Sequence, residues 1–182
     1  MSIGKDDNAA RPSGDPPAEA SEPSVSAMGG QLKFIHISPG HDYWGKQGEG
    51  RLQNGIQSVS EVECVAGKGL RGDRYFAYRP NFKGQVTFFA NEVFEEIRKM
   101  YKLPKLPASV FRRNLIVEGI DLKSCMGKRF TFQGVEFEGC QECKPCDWMD
   151  RVVAQGAQEF MKSAFRGGLR AKILTDGVLR VD

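Results

Sequence analysis

Short apolar runs alternate with polar and glycine-rich segments along most of the chain. The runs are rich in Val, Ile, Phe and Thr, and most contain four to six residues, which is typical of β-strands. On this pattern we predict strands over residues 32–37, 55–65, 85–90, 114–117, 129–132, 135–138, 171–174 and 178–181.

Glycines predict the turns that connect some of these strands. Gln133-Gly134 lies between two runs that contain aromatic residues, and a glycine there supplies the positive φ that a two-residue hairpin turn requires. Gly177, which follows Thr175-Asp176, is predicted to do the same before the last strand.

Two segments have the apolar spacing of helices. The first helix begins with Asn91 as its N-cap and ends before Pro104. Its apolar face consists of Val93, Phe94, Ile97 and Tyr101. The second begins near Asp147, breaks near Gly156 and continues for another turn or two. Many short strands with few short helices predict a mainly β (α+β) fold, a barrel or a sandwich.

Residues 1–30 differ in composition from the rest of the chain. They contain four of the nine prolines and no aromatic residue, so they cannot bury enough apolar surface to offset the entropy cost of ordering. We therefore predict a disordered tail over residues 1–30 and one domain over residues 31–182. The tail carries two basic and five acidic side chains, so its net charge is −3 and that of the domain is +6.

Composition also excludes several classes of protein. The uncharged stretches are far shorter than the ~18 apolar residues of a membrane helix, so no membrane association is expected. A formal charge of +3 is too small to indicate a nucleic-acid partner. The N-terminal residues lack the features of secretory and mitochondrial targeting segments, so we expect a cytoplasmic location.

The glycine-rich segment 67–72 matches the G-x-G-x-x-G pattern of dinucleotide-binding folds. That pattern requires a helix directly after it, whose N-terminus faces a pyrophosphate. Residues 73–80 are a poor helix opening and end in proline, so we reject this interpretation. Two interpretations are left, a plain glycine loop and an anion cradle that combines backbone N–H groups with Lys68, Arg71 and Arg74, and the cradle fits the residues better.

Five cysteines without a signal peptide favour reduced thiols or metal ligands over disulfides. Cys140, Cys143 and Cys146 have the C-x2-C-x2-C spacing of zinc or iron–sulfur ligands, although a fourth ligand is missing. One hypothesis is therefore a non-catalytic zinc or iron–sulfur module that uses these three thiols. Cys64 and Cys125 are predicted to be buried as small apolar side chains.

A second hypothesis assigns the chemistry to Cys146 alone. Pro145 stiffens the backbone before it, and Cys146 lies at or just before the second predicted helix, whose dipole stabilises a thiolate. A fixed, soft thiolate suits a molybdenum centre or persulfide sulfur. A third hypothesis, a Cys–His hydrolase that pairs Cys146 with His36 or His41, has no supporting local motif.

Five motifs follow one another in the predicted domain. They are Gly69-Leu70-Arg71-Gly72-Asp73-Arg74, Gln85-Val86-Thr87, Phe111-Arg112-Arg113-Asn114-Leu115 with the residues that follow it, Cys143-Lys144-Pro145-Cys146, and Gly167-Gly168-Leu169-Arg170-Ala171. In this order they resemble the MOSC family, the C-terminal domain of molybdenum-cofactor sulfurases and its stand-alone relatives. The resemblance covers essentially all of residues 31–182.

The resemblance implies a β-barrel with a few short helices that binds the molybdenum cofactor, molybdopterin. It implies that Cys146 is both the catalytic residue and the metal ligand, because the Pro-Cys position of the family falls on it. It implies cofactor-binding roles for Gly72, Asp73, Arg74, Arg113 and Asn114. Arg74 and Arg113 are then expected to meet the phosphate or the pterin. Asn114 is expected to supply hydrogen bonds, and Asp73 to orient Arg74.

Two activities are compatible with the resemblance. The protein either handles the sulfur ligand of the cofactor through a persulfide on Cys146, or reduces N-hydroxylated small molecules at a Cys-ligated molybdenum. A separate sulfur-donor or electron-donor protein is expected as partner, and no pyridoxal phosphate is expected in this chain. Tyr75 and Gly84 stand where many relatives have a His and a basic residue, which argues against a reaction that requires that His.

Overall fold

The computed structural model describes residues 25–42 and 52–182, which form eleven strands, three helices and one 3-10 turn. The strands are β1 (Ser26–Ala27), β2 (Gln31–Ile37), β3 (Gln57–Val59), β4 (Glu61–Val65), β5 (Gly69–Leu70), β6 (Val86–Ala90), β7 (Leu115–Glu118), β8 (Arg129–Phe132), β9 (Val135–Glu142), β10 (Leu169–Ile173) and β11 (Gly177–Arg180). The helices are α1 (Asn91–Met100), α2 (Trp148–Val152) and α3 (Ala157–Met161), and the 3-10 turn is Ala108–Phe111.

Eight strands form one sheet in the order β1-β8-β9-β10-β6-β7-β2-β3, and a smaller sheet has the order β11-β4-β5. Most neighbouring strands are antiparallel, whereas β6 and β7 are parallel, as are β1 and β8. The predicted mainly β, α+β class is confirmed. The predicted closed barrel is not, because β1 and β3 end the larger sheet without pairing to each other in the described residues.

Strand β6 is buried on both faces and separates two apolar clusters. Phe88 packs in the first cluster, with its ring centroid 5.6 Å from that of Phe130 and 5.1 Å from that of Phe137. Phe89 lies in the second cluster, where α1, α2, α3 and the 3-10 turn cover the sheet. Adjacent strand residues face opposite sides, so a strand covered on both faces has the continuous apolar sequence seen here.

All eight predicted strands are present, with shifts of a few residues at their ends. The predicted segment 55–65 divides into β3 and β4 at Ser60. The tight turn at Gln133-Gly134 is confirmed, with φ values of 47° and 78° between β8 and β9. The turn predicted at Gly177 is wrong, because this residue begins β11 without a positive φ and pairs with Cys64 of β4.

The first helix begins where predicted, but its predicted cap is wrong. Ala90 occupies the N-cap position, and Asn91 is the first helical residue. The Asn91 side chain instead donates from Nδ2 to Glu118 Oε2 at 2.7 Å, which ties α1 to β7. The break at Gly156 is confirmed, because this residue has a φ of +89° directly before α3.

The predicted tail lies outside the described residues up to residue 24. Strand pairing begins before residue 31, since Ser26 and Ala27 pair with Phe130 and Thr131 in a parallel register. Among the helices of residues 25–42 and 52–182, none has the length and apolar character needed to cross a bilayer.

Candidate functional site

A cavity of about 140 Å³ lies beside the middle strands of the larger sheet. The segment that follows β2, the segment before β6, the segment between the 3-10 turn and β7, and the segment before α2 each contribute a wall. The lining residues are His41, Arg74, Tyr75, Phe82, Gly84, Thr87, Phe111, Arg112, Arg113, Cys143, Lys144, Cys146, Trp148, Met149 and Arg170.

The described lining residues include five cationic side chains and no carboxylate. These cations are Arg74, Arg112, Arg113, Lys144 and Arg170. Because cations that line one cleft create a positive potential there, the cavity attracts anions and favours an anionic ligand.

Arg74 and Arg113 are held in place by hydrogen bonds on one part of each guanidinium. Arg113 donates from Nε to the Gly167 carbonyl and from Nη1 to the Phe111 carbonyl, both at 3.0 Å. Arg74 donates from Nη1 to Asp73 Oδ2 at 3.4 Å. The Nε of Arg74 is buried and has no hydrogen-bond partner among the described residues. Arg74 therefore keeps a donor that an anionic ligand would satisfy.

A buried polar network lies next to this wall. The Asn114 amide oxygen accepts hydrogen bonds from the Thr87 N–H at 3.1 Å and the Thr87 hydroxyl at 2.8 Å. The Asn114 amide nitrogen donates to the His36 carbonyl at 3.1 Å and to Asp73 Oδ2 at 3.2 Å. All four hydrogen-bonding positions of the amide are thereby used within the protein.

The Asp73 carboxylate is buried and receives donors from several parts of the chain. The N–H groups of Ser38 and Tyr75 donate to it, each at 3.1 Å, in addition to the Arg74 guanidinium and the Asn114 amide. These donors compensate for the loss of hydration of a buried carboxylate. Asp73 thus connects the end of β2 to Arg74.

Arg112 fastens the segment after β2 to the cavity. Its guanidinium donates to the Gly40 carbonyl at 2.8 Å, Ser38 Oγ at 3.2 Å and the Asn54 carbonyl at 3.3 Å. It also lies 3.7 Å from the buried Asp42 carboxylate. Arg112 therefore acts mainly as a structural clamp, whereas Arg113 lines the cavity without an ion pair to a described residue.

The two thiols of the cavity differ in exposure. Cys143 is buried and Cys146 is exposed, and both line the cavity. Cys140 lies outside it, with Sγ 3.3 Å from the Glu138 carbonyl. In residues 25–42 and 52–182, no three His, Cys, Asp or Glu side chains are placed to hold one metal ion. This placement argues against the three-thiol zinc or iron–sulfur module.

The segment that carries Cys146 is held at several points. The Cys143 N–H donates to the Gly168 carbonyl at 2.8 Å, and the Trp148 indole donates to the Val110 carbonyl at 2.8 Å. The Cys146 carbonyl accepts from the Met149 N–H at 3.0 Å. Cys146 lies two residues before the first residue of α2, as predicted, and its position is set by these hydrogen bonds.

A family model described as the MOSC domain matches residues 61–182. The chain belongs to the MOSC family. The family identification drawn from the five sequence motifs is thus confirmed, and the cavity lies largely within the matched residues.

Solved structures with the same fold include two bacterial proteins. The YuaD protein of Bacillus subtilis is 17% identical, with 84% of this chain and 91% of that chain covered and a TM-score of 0.62. YiiM of Geobacillus stearothermophilus is 17% identical, with 84% and 71% covered and a TM-score of 0.59. At this identity the likeness shows the fold alone. No functionally curated protein matches the chain.

The cavity of this MOSC domain brings together some of the residues predicted for the site. Cys146, Arg74 and Arg113 line it. Gly72, Asp73 and Asn114 are not among the lining residues; Asp73 and Asn114 form the network that supports Arg74. Their cofactor-binding roles stay predictions, and the geometry gives Asp73 and Asn114 a positioning role.

The glycine-rich segment 67–72 contains β5 with turn residues on both sides of it. No helix directly follows this segment, which agrees with the rejection of a dinucleotide-binding fold. The predicted three-cation cradle is wrong in part. Arg71 forms a bidentate ion pair with Glu63, and neither Arg71 nor Lys68 lines the cavity. Only Arg74 of that set faces the site.

His41 and Arg170 are lining residues that carry chemistry and that sequence reasoning did not assign to the cavity. Burial, followed by the charges of Arg74 and Arg112, lowers the pKa of His41, and the nearby Asp73 opposes the shift. The His41 ring also packs edge-on against Tyr75, with centroids 5.3 Å apart. His41 therefore adds a neutral imidazole to a cationic cavity.

His36 makes the stability of the domain depend on pH. Burial lowers its pKa below the ordinary value of 6.5, so the unfolded chain binds the proton more readily than the folded one. We expect the His36 contribution to leave the free energy of unfolding unchanged well above this value and to lower it as the pH falls below it. Urea titrations between pH 7 and pH 5.5 measure the loss, which His36→Gln should reduce. Identical pH slopes for wild type and His36→Gln would contradict the assignment.

Proposed function

We propose that this MOSC domain binds the molybdenum cofactor in the cationic cavity, with Cys146 as its sulfur ligand or sulfur carrier. One observation carries the proposal: an exposed thiol shares a cavity with five cations and no carboxylate among the described lining residues. Molybdopterin combines a phosphate with a metal that prefers sulfur ligands, so its two ends match the two kinds of group present here.

The residues fit such a group. Arg74 has a buried Nε without a hydrogen-bond partner among the described residues, and Arg113 has no ion pair with them. Both guanidinium groups are fixed by other hydrogen bonds, so they are oriented before an anion arrives. Arg74, Arg113 and Arg170 would hold the phosphate or the pterin, and Cys146 would reach the metal.

The bound cofactor supplies the redox and oxygen- or sulfur-transfer chemistry. The protein contributes binding and orientation: Cys146 fixes or delivers sulfur, and the cations neutralise the ligand's charge. Both activities stay within this proposal, namely sulfur transfer through a Cys146 persulfide and reduction of N-hydroxylated small molecules. Either requires a separate sulfur-donor or electron-donor protein.

Molybdenum retention after reconstitution tests the proposal. The purified protein is incubated with molybdenum cofactor under reducing conditions and desalted, and bound molybdenum and pterin are quantified. We expect Cys146→Ser to retain less molybdenum by about tenfold or more, because the serine hydroxyl is a poor ligand for a soft metal centre.

Cys140→Ser is the matched control, since Cys140 is a half-buried thiol outside the cavity. It should retain as much molybdenum as the wild type. Equal molybdenum in Cys146→Ser and wild type would overturn the proposal, and a loss in Cys140→Ser equal to that in Cys146→Ser would favour the three-thiol module instead.

A further inference from the structure

A second hollow adjoins the cationic cavity. This outer groove has a volume of about 370 Å³ and is lined by Gln141, Glu142, Lys144 and Arg170. Lys144 and Arg170 line the cavity as well, so these two cations separate the inner cavity from the outer groove. A ligand held between them would have one part in each hollow.

The two shared cations differ in their pairing from Lys172, a third cation nearby. Neither Lys144 nor Arg170 forms an ion pair with any residue in the described ranges, whereas Lys172 of the same strand β10 pairs with Glu138 at 3.5 Å. Two such cations that line both hollows suit a phosphate or a pyrophosphate bridge.

Apart from Lys144 and Arg170, the groove is lined by a carboxylate and an amide. Glu142 has a buried Oε1 without a hydrogen-bond partner among the described residues, and Gln141 adds an exposed amide. A carboxylate repels a second anion but accepts hydrogen bonds from neutral hydroxyl or N–H donors. The outer part of a ligand that fits here is therefore uncharged and rich in donors.

We propose that the ligand of this site carries a nucleoside diphosphate group, with the diphosphate between Lys144 and Arg170 and the nucleoside in the outer groove. Ribose hydroxyls or a base N–H would donate to Glu142, a pairing of carboxylate and ribose that other nucleotide sites use. The inference rests on the proposed function, which it deepens: the group belongs either to a dinucleotide form of the cofactor or to a free nucleotide. The groove volume falls within the range of small-ligand sites.

Calorimetry with metal-free pyrophosphate, ADP, CDP and GDP tests the inference. At least one nucleoside diphosphate should bind about tenfold more tightly than pyrophosphate, the gain expected from a hydrogen bond to a charged group. Glu142→Ala should remove that gain while leaving pyrophosphate affinity within about twofold. Glu138→Ala, on the same strand and outside the groove, should behave as wild type.

Equal affinities for pyrophosphate and all three nucleotides would overturn the inference, and so would an effect of Glu138→Ala as large as that of Glu142→Ala. If wild type still retains molybdenum through Cys146, the proposed function survives such a failure. Loss of both molybdenum retention and anion binding would overturn the proposed function and this inference together.

Nucleotide released from protein purified from its own host identifies the source of the diphosphate group. Release equimolar with molybdenum indicates the dinucleotide cofactor, and release without molybdenum indicates a free nucleotide.

Discussion

Replacing Asn114 with alanine is expected to lower the free energy of unfolding by about 3–5 kcal/mol. The substitution removes four buried hydrogen bonds at once. It leaves the Thr87 N–H and the His36 carbonyl without their partners and takes one donor away from the buried Asp73 carboxylate. Each unsatisfied buried group costs about 1–3 kcal/mol, and the groups share one network, so their costs do not add independently.

Chemical denaturation of wild type, Asn114→Ala and Asn91→Ala measures this effect. Asn91 is a suitable control because its amide makes a single hydrogen bond, to Glu118, at a partly exposed position. We expect Asn91→Ala to cost about 1 kcal/mol or less. A loss for Asn114→Ala no greater than that for Asn91→Ala would show that the network does not support the site as described.

The second large effect is expected at Gly168, where alanine should cost about 3 kcal/mol or more. This glycine has a φ of +89°, and a Cβ there would overlap the Phe88 carbonyl oxygen of β6. The Cβ is fixed to the backbone of residue 168 and the atom that it would meet is a backbone oxygen, so no side-chain rotation relieves the overlap. The Gly168 carbonyl also accepts the Cys143 N–H, so any shift moves the segment that carries Cys146.

Gly134→Ala provides the control for backbone conformation alone. Gly134 has a φ of +78° in the β8–β9 turn, and a Cβ there would meet nothing within 4 Å. Its cost should be about 1 kcal/mol, so the difference between the two variants isolates the overlap with Phe88. Thermal denaturation of both variants checks this, and equal losses would contradict the close packing of Gly168.

The sequence predicts most of the fold because local pattern determines it. The eight predicted strands and the Gln133-Gly134 turn depend on side-chain alternation and on one positive φ, which are properties of adjacent residues. The misassigned cap at Asn91 and the misassigned turn at Gly177 depend on longer-range contacts. Asn91 bonds to Glu118, and Gly177 pairs with Cys64 in another sheet, so tertiary structure overrides the local preference.

The candidate site is predictable only where single residues face the cavity. Cys146, Arg74 and Arg113 follow from motifs, whereas Arg170 and the clamp at Arg112 require knowledge of which strands become neighbours. For the clamp, the only signal in the sequence is that two arginines, Arg112 and Arg113, are adjacent. The sequence does not tell which of them faces the cavity.

The cysteine spacing shows the same limit. C-x2-C-x2-C suggests convergent ligands, but β9 continues through Glu142 and therefore includes Cys140. Side chains three positions apart in an extended segment point to opposite sides, which separates Cys140 from Cys143. The burial of Cys64 and Cys125, by contrast, is confirmed, and burial raises the pKa of Cys64 to about 12.

The parallel pairing of β6 with β7 has a consequence for the order of events during folding. Phe88 lies opposite Leu115 in this pair, which sets Thr87 and Asn114 side by side although a helix and a 3-10 turn intervene. The network around Asn114 also includes the His36 carbonyl, which lies far earlier in the chain. The cavity therefore forms only after distant segments have met, and closing the long loops between them costs conformational entropy. A ligand of this site therefore recognises only chains that have completed folding, and its binding stabilises the whole domain against unfolding.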